Sequence, residues 1–175
     1  MMLIRIIGMM LTLAASAAFG IYMSNLGTFR RKDLLEIKKA LLILKSEIEY
    51  IASPLPEAMA NISLRVAQPV AGLFDGYATA LANNTAGKTA YELWLDVIEE
   101  HKSSSFMKSE DWEVIGNFGK TLGYLDKQMQ VDSIRFTMEY IDAQIGELQE
   151  SNPKNARMYK SLGIIGGILM VVIFW

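Results

Sequence analysis

Residues 6–26 read IIGMMLTLAASAAFGIYMSNL, and no charged side chain interrupts them. The stretch has about 21 residues, and a helical rise of roughly 1.5 Å per residue makes it about 30 Å long, which matches the hydrocarbon core of a bilayer. A helix also satisfies its own backbone hydrogen bonds inside lipid. The sequence therefore predicts a transmembrane helix within residues 1–27, with Arg5 at its outer edge.

A second apolar run, residues 162–175, lies at the other end of the printed sequence. Its length of about 14 residues is short for a span, which usually needs about 20. Extending it to residues 158–175 gives a marginal transmembrane segment in which Lys160 reaches back toward the interface. Phe174 and Trp175 then lie at the far interface, where aromatic rings are favoured. A peripheral or half-inserted segment is the alternative.

The basic side chains beside these apolar runs predict the side of the membrane on which the central segment lies. Those on the central segment are Arg30, Arg31, Lys32, Lys38, Lys39, Lys154, Arg157 and Lys160. Only Arg5 opposes them. Because cytoplasmic segments carry such an excess of Lys and Arg, residues from about 27 to 160 are expected in the cytoplasm, with both ends facing out.

A cleaved signal peptide is the alternative for the first apolar run. Arg5, the apolar stretch and the small residues Ala15-Ser16-Ala17 match the three parts of such a peptide. The apolar run continues past this site to Leu26, however, and the Arg30-Arg31-Lys32 cluster behind it is typical of a stop-transfer segment. Both observations favour a retained anchor.

Small residues recur at helix-face spacing in both apolar runs, Ser16 with Gly20 and Gly163 with Gly167. Such pairs let the backbones of transmembrane helices approach closely. We predict that these four residues make helix packing contacts in the membrane. The alternative is the high glycine content of membrane helices in general.

Helical spacing of apolar residues dominates residues 28–157, and no alternating strand pattern persists. The sequence predicts an all-α protein, a cytoplasmic six-helix bundle flanked by N- and C-terminal transmembrane helices. The first and last bundle helices carry matching apolar stripes, which favour an antiparallel pair. The stripes are Leu34, Ile37, Leu41, Leu44, Ile48 and Ile51 in the first helix, and Val131, Ile134, Met138, Ile141, Ile145 and Leu148 in the last.

Shorter helices are predicted between these two from their cap residues. Ser53-Pro54, Pro69, Thr89 and Ser109 mark the expected starts, and Asp126 is the expected cap of the last helix. The expected buried faces are Leu55, Met59, Ile62 and Val66; Val70, Leu73, Phe74, Tyr77 and Leu81; Tyr91, Trp94, Leu95 and Ile98; and Trp112, Ile115, Phe118 and Leu122.

The sequence has few of the residues and motifs that catalysis needs. It has no cysteine and one histidine, His101, which is expected to be solvated, so we predict no metal site and no thiol chemistry. The acidic neighbours Glu110 and Asp111 point apart on a helix and are expected on solvated faces. The G-K-T at residues 87–89 is not a P-loop, because Ala82 stands where its first glycine belongs. A net charge of −2 gives no basic face for nucleic acid, and we predict no enzyme activity, no cofactor and no small-molecule substrate.

The end of the predicted bundle farthest from the membrane is acidic and carries candidate apolar anchors. The predicted partner-binding residues are Glu47, Glu49, Glu57, Asp126, Tyr50 and Leu55. The four carboxylates suit docking by a basic surface of a partner protein, and the tyrosine and leucine can fill its apolar pockets. The alternative is that Glu57 and Asp126 serve helix starts while Tyr50 and Leu55 belong to the core.

Several short motifs, taken in order, resemble the stage III sporulation protein AB family of endospore-forming bacteria. They are Glu47-Ile48 with Tyr50, Pro54-Leu55-Pro56-Glu57-Ala58, Leu122-Gly123-x-x-Asp126 with Gln130, and Met158-Tyr159-Lys160-Ser161-Leu162-Gly163. The resemblance covers essentially the whole chain, including both apolar ends, although residues 61–106 match only in helical pattern. That family is similar to the cytoplasmic part of the F-type platform proteins of type II secretion and type IV pilus machines.

This resemblance implies a membrane platform in a secretion-like complex that links mother cell and forespore after engulfment. It implies residence in the bacterial cell membrane on the mother-cell side, which is the outer forespore membrane. The implied partners are the lipid bilayer, the secretion-type ATPase of the same operon and other membrane subunits. Two other functions fit the sequence. One is a passive helical spacer or oligomeric membrane scaffold without ATPase contact, and the other is a membrane-bound enzyme with clustered polar groups in a pocket.

Overall fold

The structure, a computed structural model, describes residues 2–85, 87–123 and 126–174, with side chains described from residue 7 to residue 170 in these ranges and at Val172. Every regular element in these ranges is helical, which confirms the predicted all-α class. The α-helices of the described chain are α1 (Met2–Ser46), α2 (Leu55–Ser63), α3 (Val70–Ala82), α4 (Ala90–His101), α5 (Ser109–Phe118) and α6 (Lys127–Phe174). A π-helical turn (Glu47–Ile51) follows α1, and 3₁₀ turns follow α4 (Lys102–Ser104) and α5 (Gly119–Thr121).

The two long helices each join an apolar end segment to a bundle helix, whereas the sequence predicted separate helices. α1 has 45 residues and α6 has 48. Gly27 lies inside α1, where a glycine weakens a helix by only about 1 kcal/mol relative to alanine. Pro153 lies inside α6, where it removes one backbone hydrogen bond and the helix continues through it. The six α-helices of the described chain therefore include both predicted spans.

The chain divides into two compact units. The terminal unit consists of Met1–Phe29 and Gly146–Trp175, and the central unit consists of Arg30–Ile145. Among the described residues, the helix of residues 7–51 is the one that is long and apolar enough to cross a membrane.

Other predictions about the membrane are not tested by the fold. The second span over residues 158–175 stays a prediction, as do the predicted domain bounds at residues 27 and 157. The interface positions predicted for Arg5, Phe174 and Trp175 concern side chains outside the described part of the chain.

The antiparallel pairing predicted for the two striped helices is confirmed in the central unit. Near the start of this unit, Arg30 of α1 bonds to Gln144 of α6. Near the other end of the pair, Leu44 and Lys127 line the same cleft. Six stripe residues are fully buried, namely Leu34, Ile37, Leu41, Leu44, Ile134 and Ile141.

Trp94 of α4 is the centre of the aromatic core of the central unit. Its side chain is fully buried, and its indole nitrogen donates a hydrogen bond of 2.9 Å to the carbonyl of Ile115. The rings of Phe74, Tyr77 and Phe118 surround it at centroid distances of 5.8, 4.9 and 6.3 Å. Tilted and edge-on contacts of this kind add about 0.5–1.5 kcal/mol each beyond burial, so they fasten α3, α4 and α5 together.

Two predicted core residues are exposed instead. Leu95 is 39% exposed, because Leu93 and Val97 share the buried face of α4 with Trp94 and leave its neighbour on the outside. Ile51 is 61% exposed, because the π-helical turn is wider than an α-helical turn and rotates this residue away from the stripe of α1.

Helix caps agree with the sequence at two starts. The hydroxyl of Thr89 accepts a hydrogen bond from the Glu92 backbone, and the Glu92 carboxylate accepts one from the Thr89 backbone, which completes a capping box on α4. The carboxylate of Asp126 accepts hydrogen bonds from the backbones of Gln128 and Met129 at the start of α6. Both caps confirm the predictions.

Three other local predictions are wrong. Ser53 does not cap α2, which begins at Leu55, and its hydroxyl bonds to a carboxylate instead. Lys108 rather than Ser109 precedes α5 as its cap residue. His101 is half-buried rather than solvated, because its Nδ1 lies 2.9 Å from the carbonyl of Val97 and the ring packs beside the glycines of α3.

Candidate functional site

The π-helical turn Glu47–Ile51 shapes one end of the central unit. The backbone N–H of Ala52 donates a hydrogen bond of 2.7 Å to the carbonyl of Glu47, and Ala52 has a left-handed backbone with a φ of 56°. That conformation costs about 1–2 kcal/mol in a residue with a Cβ atom. The hydroxyl of Ser53 donates a hydrogen bond of 2.8 Å to the Glu47 carboxylate, which fixes the change of direction into α2.

A cleft of about 550 Å³ opens beside this turn, and we call it the tip cleft. It is lined by Leu44, Ile48, Ala52, Ser53, Leu55, Ala58, Gly123, Lys127 and Gln130. Most of these side chains are apolar, and the charge is supplied by Lys127 from the first turn of α6. The tip cleft is large enough to accept an apolar side chain or a short segment of another protein.

Of the predicted partner-binding residues, Leu55 lines the tip cleft, and each of the other five stands within two positions of a lining residue in the sequence. Tyr50 is 81% exposed. Of the others, Glu49, Glu57 and Asp126 are exposed, Leu55 is half-buried in the wall of the cleft, and Glu47 is buried. The Glu47 carboxylate, 2% exposed, faces Ser53 rather than solvent, so this side chain supports the turn. Whether any of the six contacts a partner stays a prediction.

Asp126 and Glu49 also have local interactions. Asp126 caps α6, as described above, and Glu49 lies 3.9 Å from Lys45 in an exposed ion pair. Exposed pairs of this kind contribute about 0.2–1 kcal/mol, so Glu49 remains available to a competing cation.

A second cleft, of about 650 Å³, shares Gly123 with the tip cleft and was not predicted. It is lined by Thr89, Ala90, Tyr91, Lys120, Leu122 and Gly123. Gly123 has a φ of 83°, which a side chain rarely adopts, and this turn separates the two clefts. Gly123 belongs to the Leu122-Gly123-x-x-Asp126 motif, but nothing local in the sequence indicated that it would lie between two clefts.

Arg30 and Asp111 form a buried ion pair that the sequence did not predict. The guanidinium Nε and Nη2 donate hydrogen bonds of 2.8 Å each to the two carboxylate oxygens. Arg30 is 6% exposed and Asp111 is fully buried, so the expectation that Asp111 lies on a solvated face is wrong. The residues are 81 positions apart, and no local spacing links them.

Further hydrogen bonds complete this cluster. Tyr140 donates one of 3.1 Å to Asp111, and the backbone N–H of Lys108 donates one of 2.8 Å. Burial disfavours the charged form of Asp111, but the bonds from Arg30 and Lys108 outweigh it, so its pKa lies below the ordinary value. Burial and the neighbouring Asp111 charge raise the pKa of Tyr140 to about 12. The cluster is therefore charged at neutral pH and ties α1, α5 and α6 together.

The residues that line the two clefts suit the binding of another molecule. Within the described residues, no group of three or more His, Asp or Glu side chains could hold a metal ion. The polar groups of the tip cleft are a lysine, a serine and a glutamine, and the serine hydroxyl already serves Glu47. The arrangement suits an apolar contact with a charged rim.

The four small residues predicted to pack in the membrane lie together in the terminal unit. A Cβ atom on Gly20 would lie 3.1 Å from the Cα of Gly163, and one on Gly167 would lie 3.2 Å from the Cβ of Ser16. The Ser16 hydroxyl donates a hydrogen bond of 2.6 Å to the carbonyl of Gly163. The helices therefore meet at backbone distance here, and their placement in lipid stays a prediction.

Taken together, these features define a class of protein: all-helical, with one candidate membrane-spanning helix in the described chain and a helical unit that ends in an apolar cleft. The stage III sporulation protein AB family matches residues 5–175, and this chain belongs to that family.

Similar proteins agree with this assignment. Stage III sporulation protein AB of Bacillus subtilis (strain 168) is 29% identical over 172 residues, which cover 98% of this chain and 99% of the relative. A solved structure of stage III sporulation protein AB is 26% identical, with a TM-score of 0.65, and the match covers 71% of this chain and 97% of that one. The predicted family is therefore confirmed.

Proposed function

We propose that this chain is a non-enzymatic membrane platform of a secretion-like complex between mother cell and forespore. Its central unit faces the mother-cell cytoplasm from the outer forespore membrane. The tip cleft and the exposed residues around it dock a secretion-type ATPase, and the apolar helices bind the bilayer and other membrane subunits.

The observation that carries this proposal is the position of the motif residues. Several of the residues that resemble the family lie in or beside the tip cleft although they come from separate parts of the chain. They include Ile48, Leu55, Ala58, Gly123 and Gln130. A fold alone does not require an open, mostly apolar cleft at this point, so the cleft is the best candidate for a contact surface.

Tyr50 is the strongest candidate for an anchor. It is 81% exposed, lies next to the 61% exposed Ile51, and stands in the sequence between Ile48 and Ala52, which line the tip cleft. Tyrosines that become buried in an interface often dominate its binding energy, with losses of 2 kcal/mol or more on truncation. Glu49 and Glu57 are exposed on the same segment of the chain, and their negative charges favour a partner with a basic surface.

The test is co-purification of the full-length chain, in detergent, with the secretion-type ATPase of the same operon. Tyr50→Ala should weaken recovery of the ATPase by more than about tenfold, since 1.4 kcal/mol corresponds to a factor of ten. Glu57→Lys should also lower recovery, with a larger effect at low salt. Glu47 is not a suitable target, because its buried carboxylate supports the turn.

A matched control distinguishes this surface from exposed apolar residues in general. Leu64 is 84% exposed and follows the far end of α2, so Leu64→Ala should leave ATPase recovery unchanged. Unchanged recovery for Tyr50→Ala and Glu57→Lys, with normal helicity, would remove the tip cleft from the proposal.

A further inference from the structure

We propose that the central unit binds a second copy of this chain through two neighbouring outer faces of α1 and α6. The basic face comprises Lys32, Leu35, Lys39, Leu42 and Lys45 of α1. The acidic face comprises Met129, Asp132, Phe136, Glu139 and Ala143 of α6. The basic face of each copy packs against the acidic face of the other.

Each face carries large apolar side chains that the central unit leaves exposed. Leu35 and Leu42 are 41% and 48% exposed, and Met129 and Phe136 are 48% and 70% exposed. The members of each pair are seven positions apart and therefore lie above one another on a helix. The inner sides of both helices already supply core residues, so each helix has a second apolar stripe.

The charges beside the two stripes are complementary. The basic face carries Lys32, Lys39 and Lys45, of which Lys45 already pairs with Glu49. The acidic face carries Glu139 and Asp132, of which Asp132 already pairs with Arg135. Lys39 and Glu139 are both exposed, and neither has an ion-pair partner in the described part of the chain. A second copy would supply each with an opposite charge, which favours this partner over one of uniform charge.

The geometry allows both contacts to form at once. The Lys38–Asp142 ion pair, at 2.5 Å, joins α1 to α6, and the two faces lie on either side of it, away from the core. Because the helices are antiparallel, Leu42 lies nearly level with Phe136 and Lys39 nearly level with Glu139. A two-fold axis along the helices therefore places each basic face opposite the acidic face of the other copy, so that the same contact is made twice.

The size of the contact suits copies that are held in one membrane. The faces extend over about 20 Å of helix and two helix widths of about 10 Å, which gives roughly 400 Å² per copy. A total of about 800 Å² is smaller than a standard interface and lies in the range of weak, transient contacts. Confinement of both copies to a bilayer, as in the proposed function, raises their effective concentration and favours a contact of this size.

The absence of native cysteine makes cross-linking a sharp test. Full-length Leu42→Cys and Phe136→Cys variants are purified separately, mixed in lipid vesicles and oxidised gently. We expect a disulfide-linked dimer that forms at least tenfold faster in the mixture than in either variant alone. The matched control mixes Leu64→Cys with Leu95→Cys, which are exposed but lie outside both faces.

Charge reversal tests the electrostatic part. In the cross-linking background, Lys39→Glu or Glu139→Lys should slow dimer formation about tenfold, and the two reversals together should restore it. Both side chains are exposed, so neither change disturbs the core. Equal cross-linking of the control pair would overturn the proposal, and so would single reversals without effect. Reversals that reduced only ATPase recovery would assign these faces to the ATPase and also overturn it.

Discussion

The carboxylate of Asp111 shows how one side chain can hold together elements that are distant in sequence. It accepts hydrogen bonds from α1, from α6 and from the residue before α5. An ion pair removed from water is favourable only when its remaining polar atoms are also bonded, and here the contacts of Arg30, Tyr140 and Lys108 fulfil that condition. Removal of one partner leaves the other charge buried.

We expect Asp111→Asn to destabilise the full-length chain by about 3–5 kcal/mol, because the Arg30 guanidinium loses its charged partner inside the protein. For a chain of this size that corresponds to a fall in melting temperature of roughly 10 °C, measured by circular dichroism in detergent. The matched control is Asp142→Asn, which breaks the exposed pair with Lys38 and should cost less than about 1 kcal/mol. A melting temperature within error of the wild type would contradict this role for Asp111.

The pH dependence of the same variant supplies a second readout. The pKa of Asp111 in the folded chain lies below its ordinary value of about 4. The contribution of this carboxylate to the free energy of unfolding is therefore complete above about pH 4 and is lost as the pH falls through the pKa of the folded chain. The difference in melting temperature between wild type and Asp111→Asn should therefore be widest near pH 7 and narrow toward pH 3. A constant difference would contradict the linkage to this carboxylate.

In the central unit, α4 packs closely against the 3₁₀ turn Gly119–Thr121. A Cβ atom on Gly119 would overlap the indole ring of Trp94, whose position is fixed by its hydrogen bond to Ile115. By contrast, a Cβ atom on Gly146, inside α6, would meet nothing within 4 Å. Gly119 therefore has no room for a side chain, whereas Gly146 has open space at the position of a Cβ atom.

Alanine substitutions should separate these two glycines. Gly119→Ala is expected to destabilise the chain by about 1–3 kcal/mol, because the aromatic core must shift to admit the new methyl group. Gly146→Ala is expected to stabilise it by about 0.5–1 kcal/mol, because alanine favours the helix interior. Thermal unfolding of both variants measures the difference, and the same sign of change in both would refute this account of the packing.

The sequence correctly predicted features that depend on neighbouring residues or on a regular period. It did not predict contacts between distant residues or irregular backbone turns. The stripe residues Ile134 and Ile141, and the caps Thr89 and Asp126, follow from rules that act over a few neighbouring residues. The Arg30–Asp111 pair could not be predicted because no periodic pattern connects such positions. Nor did periodicity reveal the π-helical turn, which exposes Ile51 although its spacing fits the stripe.

The candidate site was predicted in outline only. The segment around Tyr50 and Leu55 was identified from its charge and from the family resemblance, and the structure brings it into contact with the tip cleft. Lys127 and the second cleft were missed, because the end of α1 and the start of α6 meet only in three dimensions. Burial of Glu47 depends on its bond to Ser53 across the left-handed Ala52, which no propensity scale indicates.

For the whole molecule, the prediction to test is topology. Thr85 lies in the exposed loop between α3 and α4, and the chain has no other thiol once Thr85→Cys is introduced. With the chain produced in the plasma membrane of non-sporulating cells, where one side faces the medium, we expect a membrane-impermeant maleimide to label this cysteine only after the cells are permeabilised, because the basic residues beside the apolar helix favour a cytoplasmic central unit. Labelling in intact cells would contradict the orientation, and a reporter fused after Trp175 tests the opposite end.

In the proposed orientation, the burial of Arg30 also has a consequence for membrane insertion. When Arg30 leaves the ribosome, α5 and α6 have yet to be synthesised, so its guanidinium is hydrated and its charge favours retention of the flanking segment in the cytoplasm. In the folded chain the same guanidinium is bonded to Asp111 and Gln144. Arg30→Gln should therefore lower the melting temperature while Arg31 and Lys32 preserve correct insertion, which maleimide labelling at residue 85 would reveal.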